Sequence, residues 1–289
     1  MKVLLTGATG FLGSHLARAL LAEGHQIIAL KRCTSDLWRL NDVAEQIEFH
    51  DLEGLDLKAP FERHGQIDVV IHTATCYGRK GETAIEIFEA NTALPLRLLQ
   101  TATFFNTDTI LSAHLNQYAL SKKQFAEWGR MLCSAGSTRF VNIRLEHMYG
   151  PGDDLTKFTS WIMQQCLDSV PTIELTAGEQ LRDFIYVDDV VSAYQSLLSN
   201  AATLASGYAE VGVGSGDSVA IRSFAEKVHR LSSSKSQMKF GALPYREGEA
   251  LKSVANIEAL RWLGWSPQVS LDEGITATLR AMQSADLPT

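Results

Sequence analysis

The run Lys2-Val3-Leu4-Leu5-Thr6 has the apolar character of a buried strand, and it passes at once into three glycines in the register Gly7-x-x-Gly10-x-x-Gly13, followed by a helical pattern with Leu16, Ala19 and Leu20 on one face. A chain that turns from strand to helix in so few residues needs backbone angles and close approaches that a Cβ forbids, which is what glycine supplies. The start of such a helix carries unpaired N–H groups and the positive end of the helix dipole, so it attracts a phosphate. The spacing is not the commoner G-x-G-x-x-G. Its weight comes from its place, straight after a strand and straight before a helix.

The rest of the first half keeps the same alternation. Gln26 to Leu30, Ile47 to His50, Asp68 to His72, a segment from about Ala102 to Thr107, and Arg139 to Arg144 read as strands. Gly13 to Glu23, Thr83 to Thr101 and Tyr118 to Leu132 read as helices. Continuous apolar strands joined through helices by short connections predict an α/β fold, a doubly wound parallel sheet with helices on both faces. After Tyr149-Gly150-Pro151-Gly152 the pattern loosens into shorter elements, with helices expected near Phe158 to Leu167, Asp188 to Ser199, Ile221 to Leu231, Asn256 to Leu263 and Leu271 to Met282. We therefore expect a dinucleotide-binding core over 1–148, completed by about 184–213, and a smaller interleaved lobe from 149–183 and 214–289.

Composition narrows the partners. With 26 Lys and Arg against 33 Asp and Glu the formal net charge is -7, which does not suit a nucleic-acid binder. Cys33, Cys76, Cys133 and Cys166 form no C-x-x-C pair and the histidines show no metal-ligand spacing, so no metal is expected and the thiols fit a reducing compartment. Glycines, His15 and Arg18 break the apolar N-terminal run, and no stretch approaches the roughly 18 apolar residues of a membrane span. The expectation is a cytoplasmic protein with no membrane partner.

The stretch Thr6-Gly7-Ala8-Thr9-Gly10-Phe11-Leu12-Gly13 resembles the extended short-chain dehydrogenase/reductase family, the NAD-dependent epimerase/dehydratase group, and further motifs along the chain match it. The resemblance implies a Rossmann-type fold and assigns Gly7, Thr9, Gly10, Phe11, Leu12 and Gly13 to the cofactor pyrophosphate. His50-Asp51-Leu52 is similar to the pair after the third strand, where the Asp meets adenine. Val70-Ile71-His72-Thr73-Ala74 is similar to the run that lines the cofactor, and Asn91 to the helix Asn near the active site. At the end of the second strand an acid would favour NAD through the ribose 2′-hydroxyl, whereas Arg accommodates a 2′-phosphate. Here Lys31 and Arg32 stand in that place, followed by Thr34 and Ser35, which favours NADP(H) and leaves NAD(H) open. Asp36 is the dissenting acid.

Tyr118-x-x-x-Lys122 puts a phenol and an amine on one helix face. An ammonium there lowers the phenol pKa, and a tuned phenol can exchange a proton with a sugar hydroxyl during hydride transfer. Asn106-Thr107-Asp108-Thr109 resembles the S-T-D-E stretch of nucleotide-sugar 4,6-dehydratases. That likeness makes Thr107 the carbonyl hydrogen-bonder and puts Asp108 and Thr109 against the substrate. Thr109 replaces the Glu that dehydration needs, so dehydration is not expected. Only ten residues separate Thr107 from Tyr118, a short gap that leaves Thr109 as an alternative to Thr107. These features together resemble 4-keto sugar nucleotide reductases of the CDP-abequose synthase type. Arg182-Asp183-Phe184 matches a family segment whose Arg contacts the nucleotide diphosphate, His147 is expected to position or pack, and Asp188-Asp189 to cap the next helix. Leu263-Gly264-Trp265-x-Pro267 resembles a structural C-terminal turn. The resemblance implies a nucleotide-diphosphate sugar as substrate and a homodimer. A 4-keto-6-deoxy sugar nucleotide reductase is the leading expectation. A 4-epimerase with tightly held NAD(H) is the alternative, and a non-catalytic dinucleotide sensor has no need of the Thr, Tyr and Lys.

Overall fold

The computed structural model describes residues 1–99, 103–133, 138–201, 203–204, 207–245 and 248–284. The strands are, in order, β1 (Lys2–Thr6), β2 (Gln26–Lys31), β3 (Ile47–Asp51), β4 (Val69–His72), β5 (Thr103–Thr109) and β6 (Arg139–Leu145). They continue as β7 (His147–Tyr149), β8 (Thr172–Leu175), β9 (Leu181–Arg182), β10 (Phe184–Tyr186), β11 (Gly207–Val213), β12 (Val219–Ala220) and β13 (Gln237–Phe240). The helices are α1 (Phe11–Ala22), α2 (Ala59–His64), α3 (Ala84–Phe88), α4 (Leu94–Leu98) and α5 (Gln117–Cys133), then α6 (Phe158–Leu167), α7 (Val187–Ser199), α8 (Ile221–Leu231), α9 (Glu258–Trp262) and α10 (Leu271–Gln283).

Among the described residues seven strands form one sheet in the order β3-β2-β1-β4-β5-β6-β11. The pairs from β3 through β6 are parallel. The chain leaves β1 first toward β2 and β3, then crosses to β4, β5 and β6. The order reverses between β1 and β4, and ligands of such sheets bind beyond the strand ends at that point. The expected doubly wound sheet is the one observed.

The chain divides into two compact units, Met1–Leu145 with Tyr194–Val211, and Glu146–Ala193 with Gly212–Thr289. The return to the first unit comes later than the expected 184, because Phe184–Tyr186 pairs with His147–Tyr149 and stays in the second unit. That unit also holds the short pairs β12–β9 and β13–β8. Two of its carboxylates act as chain ties. Asp183, fully buried, accepts from the backbone N–H groups of Ser215, Gly216 and Ala255. Asp189 accepts from Gln268 and Val269 rather than capping α7, which corrects the expected role of that residue. The Leu263–Pro267 turn is structural, with Gly264 at φ 81° and Trp265 Nε1 donating to Ser192 Oγ.

The helix expected over Thr83 to Thr101 is broken into pieces. A Thr83–Glu86 capping box starts α3, a π-helical turn spans Glu89–Ala93, and α4 ends at Leu98; Gln100 and Thr101 lie outside the described residues. Pro95 explains the break. It has no N–H for the carbonyl four residues back, at Asn91, so the helix widens there.

The core of the first unit lies between the sheet and α5. Every residue of β4 is buried, and Phe104, Phe125 and Phe140 are fully enclosed. Phe104 stacks on Phe140 with centroids 5.5 Å apart, and Phe125 stands edge-on to both. Each such ring contributes about 1.5–3 kcal/mol through burial alone. Gly129 lets α5 descend onto this stack, since a Cβ there would lie 2.4 Å from the Phe140 ring. Gly129→Val is therefore expected to destabilise the protein by about 2 kcal/mol or more, overcoming its better helix propensity. A lower urea midpoint at unchanged m-value would show this.

Candidate dinucleotide-binding and catalytic site

The glycine turn joins the end of β1 to α1. Gly7 has φ 74°, and a Cβ on it would lie 2.5 Å from the Ala74 backbone nitrogen. A Cβ on Gly13 would lie 2.0 Å from the Gly7 carbonyl oxygen. The turn is therefore pressed against both the segment after β4 and its own helix. Helix α1 starts at Gly10 with no side-chain cap and no acid in its first turn, which leaves its positive end to an outside anion. Thr73 Oγ1 donates to the Thr6 carbonyl, and Thr6 Oγ1 is 2.7 Å from Nδ1 of the buried His72. Gly7, Thr9, Gly10, Phe11, Leu12, Gly13, Thr73 and Ala74 thus lie at the ends of two adjacent strands, β1 and β4.

Lys31 ends β2 with Arg32 and Thr34 just after it, and Asp51 ends β3 beside Lys31 with Leu52 next. Lys31 and Asp51 form an ion pair with each other, and Leu52 N donates to the Lys31 carbonyl. Arg32 is exposed. Asp36 is exposed and accepts from Trp38 N at 2.9 Å. Asn91, expected near the active site, is buried among protein partners. Its amide donates to the Cys76 carbonyl and to Ser121 Oγ and accepts from Cys76 N. Both amide hydrogens are committed, so Asn91 ties the loop after β4 to α5 and positions them.

Helix α5 presents Tyr118 and Lys122. Asn116 caps it, its side chain accepting from Ala119 N at 2.8 Å. The Tyr118 ring lies 4.9 Å from that of Tyr77, which sequence reasoning missed; nothing in its spacing marks it. Burial pushes the Tyr118 phenol well above its ordinary range, Tyr77 and Asp108 add to this, and a hydrogen bond with Thr109 opposes it. The expected lowering by Lys122 is not what governs this phenol. It is held as the neutral acid.

Of the two threonines, Thr109 is the one whose hydroxyl bears on the Tyr118 phenol, lowering its pKa against the effect of burial. Thr107 is turned to another partner, with Oγ1 2.6 Å from the Tyr194 hydroxyl. Asp108 points into the protein instead of toward a ligand. It is 3 % exposed and accepts from Lys123 Nζ at 2.8 Å, Asn142 Nδ2 at 3.0 Å and Thr109 N at 2.7 Å. Lys123 also donates to the Thr109 carbonyl, so it fixes the end of β5. The Lys122-Lys123 doublet was the available signal for Lys123, one lysine for each neighbouring face.

In the second unit Arg182 is buried, pairs with Glu249 at 3.0 Å and lines a cleft with Phe184, Ser215 and Gln268. His147 packs edge-on against Phe184. Among the described residues no helix is long and apolar enough to cross a membrane.

A nicotinamide dinucleotide fits the first unit on two observations. One is the side-chain-free cradle at Gly7 and Gly13. The other is the Lys122 amine, 1 % exposed and without a hydrogen-bond partner, as is Nε2 of His72. Burial lowers the Lys122 pKa to about 8, opposed by Asp108 and reinforced by Lys123. Relative to an ordinary lysine this costs folding on the order of 3 kcal/mol. Lys122→Met should therefore raise the melting temperature of the cofactor-free protein by several degrees at neutral pH. Below about 8 the amine is charged in both states and the cost is full. Above it the folded amine is neutral while the unfolded one still binds a proton, so the gap between variant and parent should close toward the ordinary lysine pKa. Thermal melts across that range check both points.

The model of the NAD dependent epimerase/dehydratase family matches residues 3–114 and 102–212. The CDP-abequose synthase of Salmonella typhimurium is 35% identical over 297 residues, covering 97% of this chain and 98% of that protein. Among solved structures, the UDP-glucose 4-epimerase of Thermotoga maritima with UDP-glucose superposes with TM-score 0.84 at 20% identity, covering 98% of this chain and 99% of the other. The UDP-glucose 4-epimerase of Thermus thermophilus with NAD gives 0.82 at 24%, covering 99% and 100%. The glycine turn, the strand order and the matched length agree: the chain belongs to the NAD dependent epimerase/dehydratase family, within the extended short-chain dehydrogenases/reductases.

Proposed function

We propose that the chain is an NADPH-dependent reductase of a 4-keto-6-deoxy sugar nucleotide. The observation that carries this reading is the pair that α5 presents on one face, the Tyr118 phenol and, four residues on, the buried Lys122 amine that no protein group binds. Reduction of a ketone needs an acid beside the carbonyl oxygen, and a phenol held protonated supplies one. When bound, the dinucleotide supplies the hydride. Thr109 donates to the C4 carbonyl oxygen, Tyr118 passes its proton to that oxygen as the alcohol forms, and Lys122 adds positive potential where negative charge develops. A dehydratase is disfavoured because Asp108 is enclosed by Lys123 and Asn142 and Thr109 is not an acid.

Exposed Arg32 supports NADPH over NADH, since it directly follows β2 and the end of that strand carries no acid in sequence for the ribose 2′-hydroxyl. Lys31 is held by Asp51, so the selectivity falls to Arg32 with Thr34 beside it. Arg182 would take the nucleotide diphosphate. The 35% identity to a CDP-abequose synthase supports the reductase over the epimerases, whose identities are lower. Exposed Trp128 and Met131 on α5 and Ile85 on α3 support a homodimer through these helices.

Purified protein is expected to oxidise NADPH only when a 4-keto-6-deoxy sugar nucleotide is added, and Tyr118→Phe to lower turnover by about 100-fold or more while cofactor binding persists. Bound NAD carried through purification, with two nucleotide sugars interconverted and no net cofactor consumed, would replace this reading with a 4-epimerase. The two threonines separate in the same assay. Thr109→Val should lower kcat by about 100-fold. Thr107→Val should leave kcat near that of the parent and lower stability by about 1 kcal/mol through the lost bond to Tyr194. The opposite pattern would return the carbonyl to Thr107.

A further inference from the structure

At the outer edge of the sheet, away from the glycine turn, three ligand-type side chains meet. Glu48 and His50 alternate along β3, so the pleat sends both to one face. His64, the last residue of α2, brings its ring to the same place. Nε2 of His50 lies 3.2 Å from Nε2 of His64. Oε1 of Glu48 lies 3.3 Å from the His64 nitrogen and 3.6 Å from the His50 nitrogen. The point equidistant from the corners of this triangle is about 2 Å from each, the length of Zn–N and Zn–O bonds.

Hydrogen bonding alone does not account for the cluster. Oε1 of Glu48 is buried and accepts no well-aligned hydrogen bond from the side chains around it. If both rings were protonated, two cations would face each other at 3.2 Å. Both histidine side chains are at most 10% exposed. Arg63 reaches Oε1 at 3.1 Å, but its side chain is 69% exposed and free to swing into solvent.

We infer that Glu48, His50 and His64 form a site for a divalent transition metal, Zn²⁺ fitting best, with the fourth tetrahedral position left to water. The donor set of two imidazoles and a carboxylate suits a borderline cation better than Mg²⁺ or Ca²⁺, which prefer oxygen. The metal fastens the last turn of α2 to the edge strand. The expectation of no metal rested on linear spacing, and these ligands come from two separate elements.

Tag-free protein stripped with chelator is titrated with Co²⁺, whose visible absorption reports tetrahedral nitrogen and oxygen coordination, and melted with and without Zn²⁺. We expect saturation near one equivalent and a rise in melting temperature. His50→Ala and His64→Ala should each weaken uptake by on the order of 100-fold or more, and Glu48→Gln should weaken it with the fold intact by circular dichroism. Arg63→Ala should bind at least as tightly as the parent. Failure of the parent protein to take up Co²⁺ at micromolar free metal, or uptake unchanged in both histidine variants, overturns the site.

Discussion

The first unit depends on one crowded turn. Gly7 touches the backbone after β4, and Gly13 touches the carbonyl of Gly7, at separations that no side chain tolerates. This contact sets how closely α1 stands to β1 and how β1 stands to β4. It also aims the positive end of α1 at the point where the strand order reverses. The hydrogen bond that Thr73 donates to the Thr6 carbonyl, and the one between Thr6 and His72, fasten the same pair of strands at their ends.

A second constraint is electrostatic. Helix α5 lies low on the sheet at Gly129, and that descent takes Lys122 out of water without giving it a protein partner. Tyr118, four residues before it, is partly buried, and burial raises the pKa of its phenol. Lys123 faces the other way and neutralises Asp108, so the end of β5 carries no free carboxylate near Thr109. Two adjacent lysines therefore have opposite environments, one isolated and one paired, because neighbouring positions on a helix lie on different faces.

The parts legible in the sequence are those governed by local sterics and burial. Gly7 and Gly13 mark a place where a Cβ cannot fit, and Val69-Val70-Ile71 reads as a strand buried on both sides. The parts that escaped depend on partners distant in sequence. Thr107 and Thr109 share a face by pleat alternation, and Tyr194, 87 residues beyond Thr107, takes the first and leaves the second to Tyr118. The Lys31–Asp51 pair requires knowing that β2 and β3 are neighbours in parallel register. Asn91 needed the loop at Cys76, and Asp189 the turn at Gln268. Pro95 was visible, yet a helix-wide apolar pattern hid the break it causes.

The chain leaves the first unit after Leu145 and returns to it at Tyr194. β6 therefore finds its outer neighbour, β11, only after about 60 further residues have been made, an interval read from the strand bounds. During synthesis the backbone of β6 is an open edge, able to pair with any other strand it meets. Its flank is Arg139 at one end and Arg144 near the other, charges of the kind that discourage such pairing. Growing chains of this design are safest when β11 follows without delay. Pauses in translation between Leu145 and Gly207 would be felt as aggregation long before they were felt as lost activity.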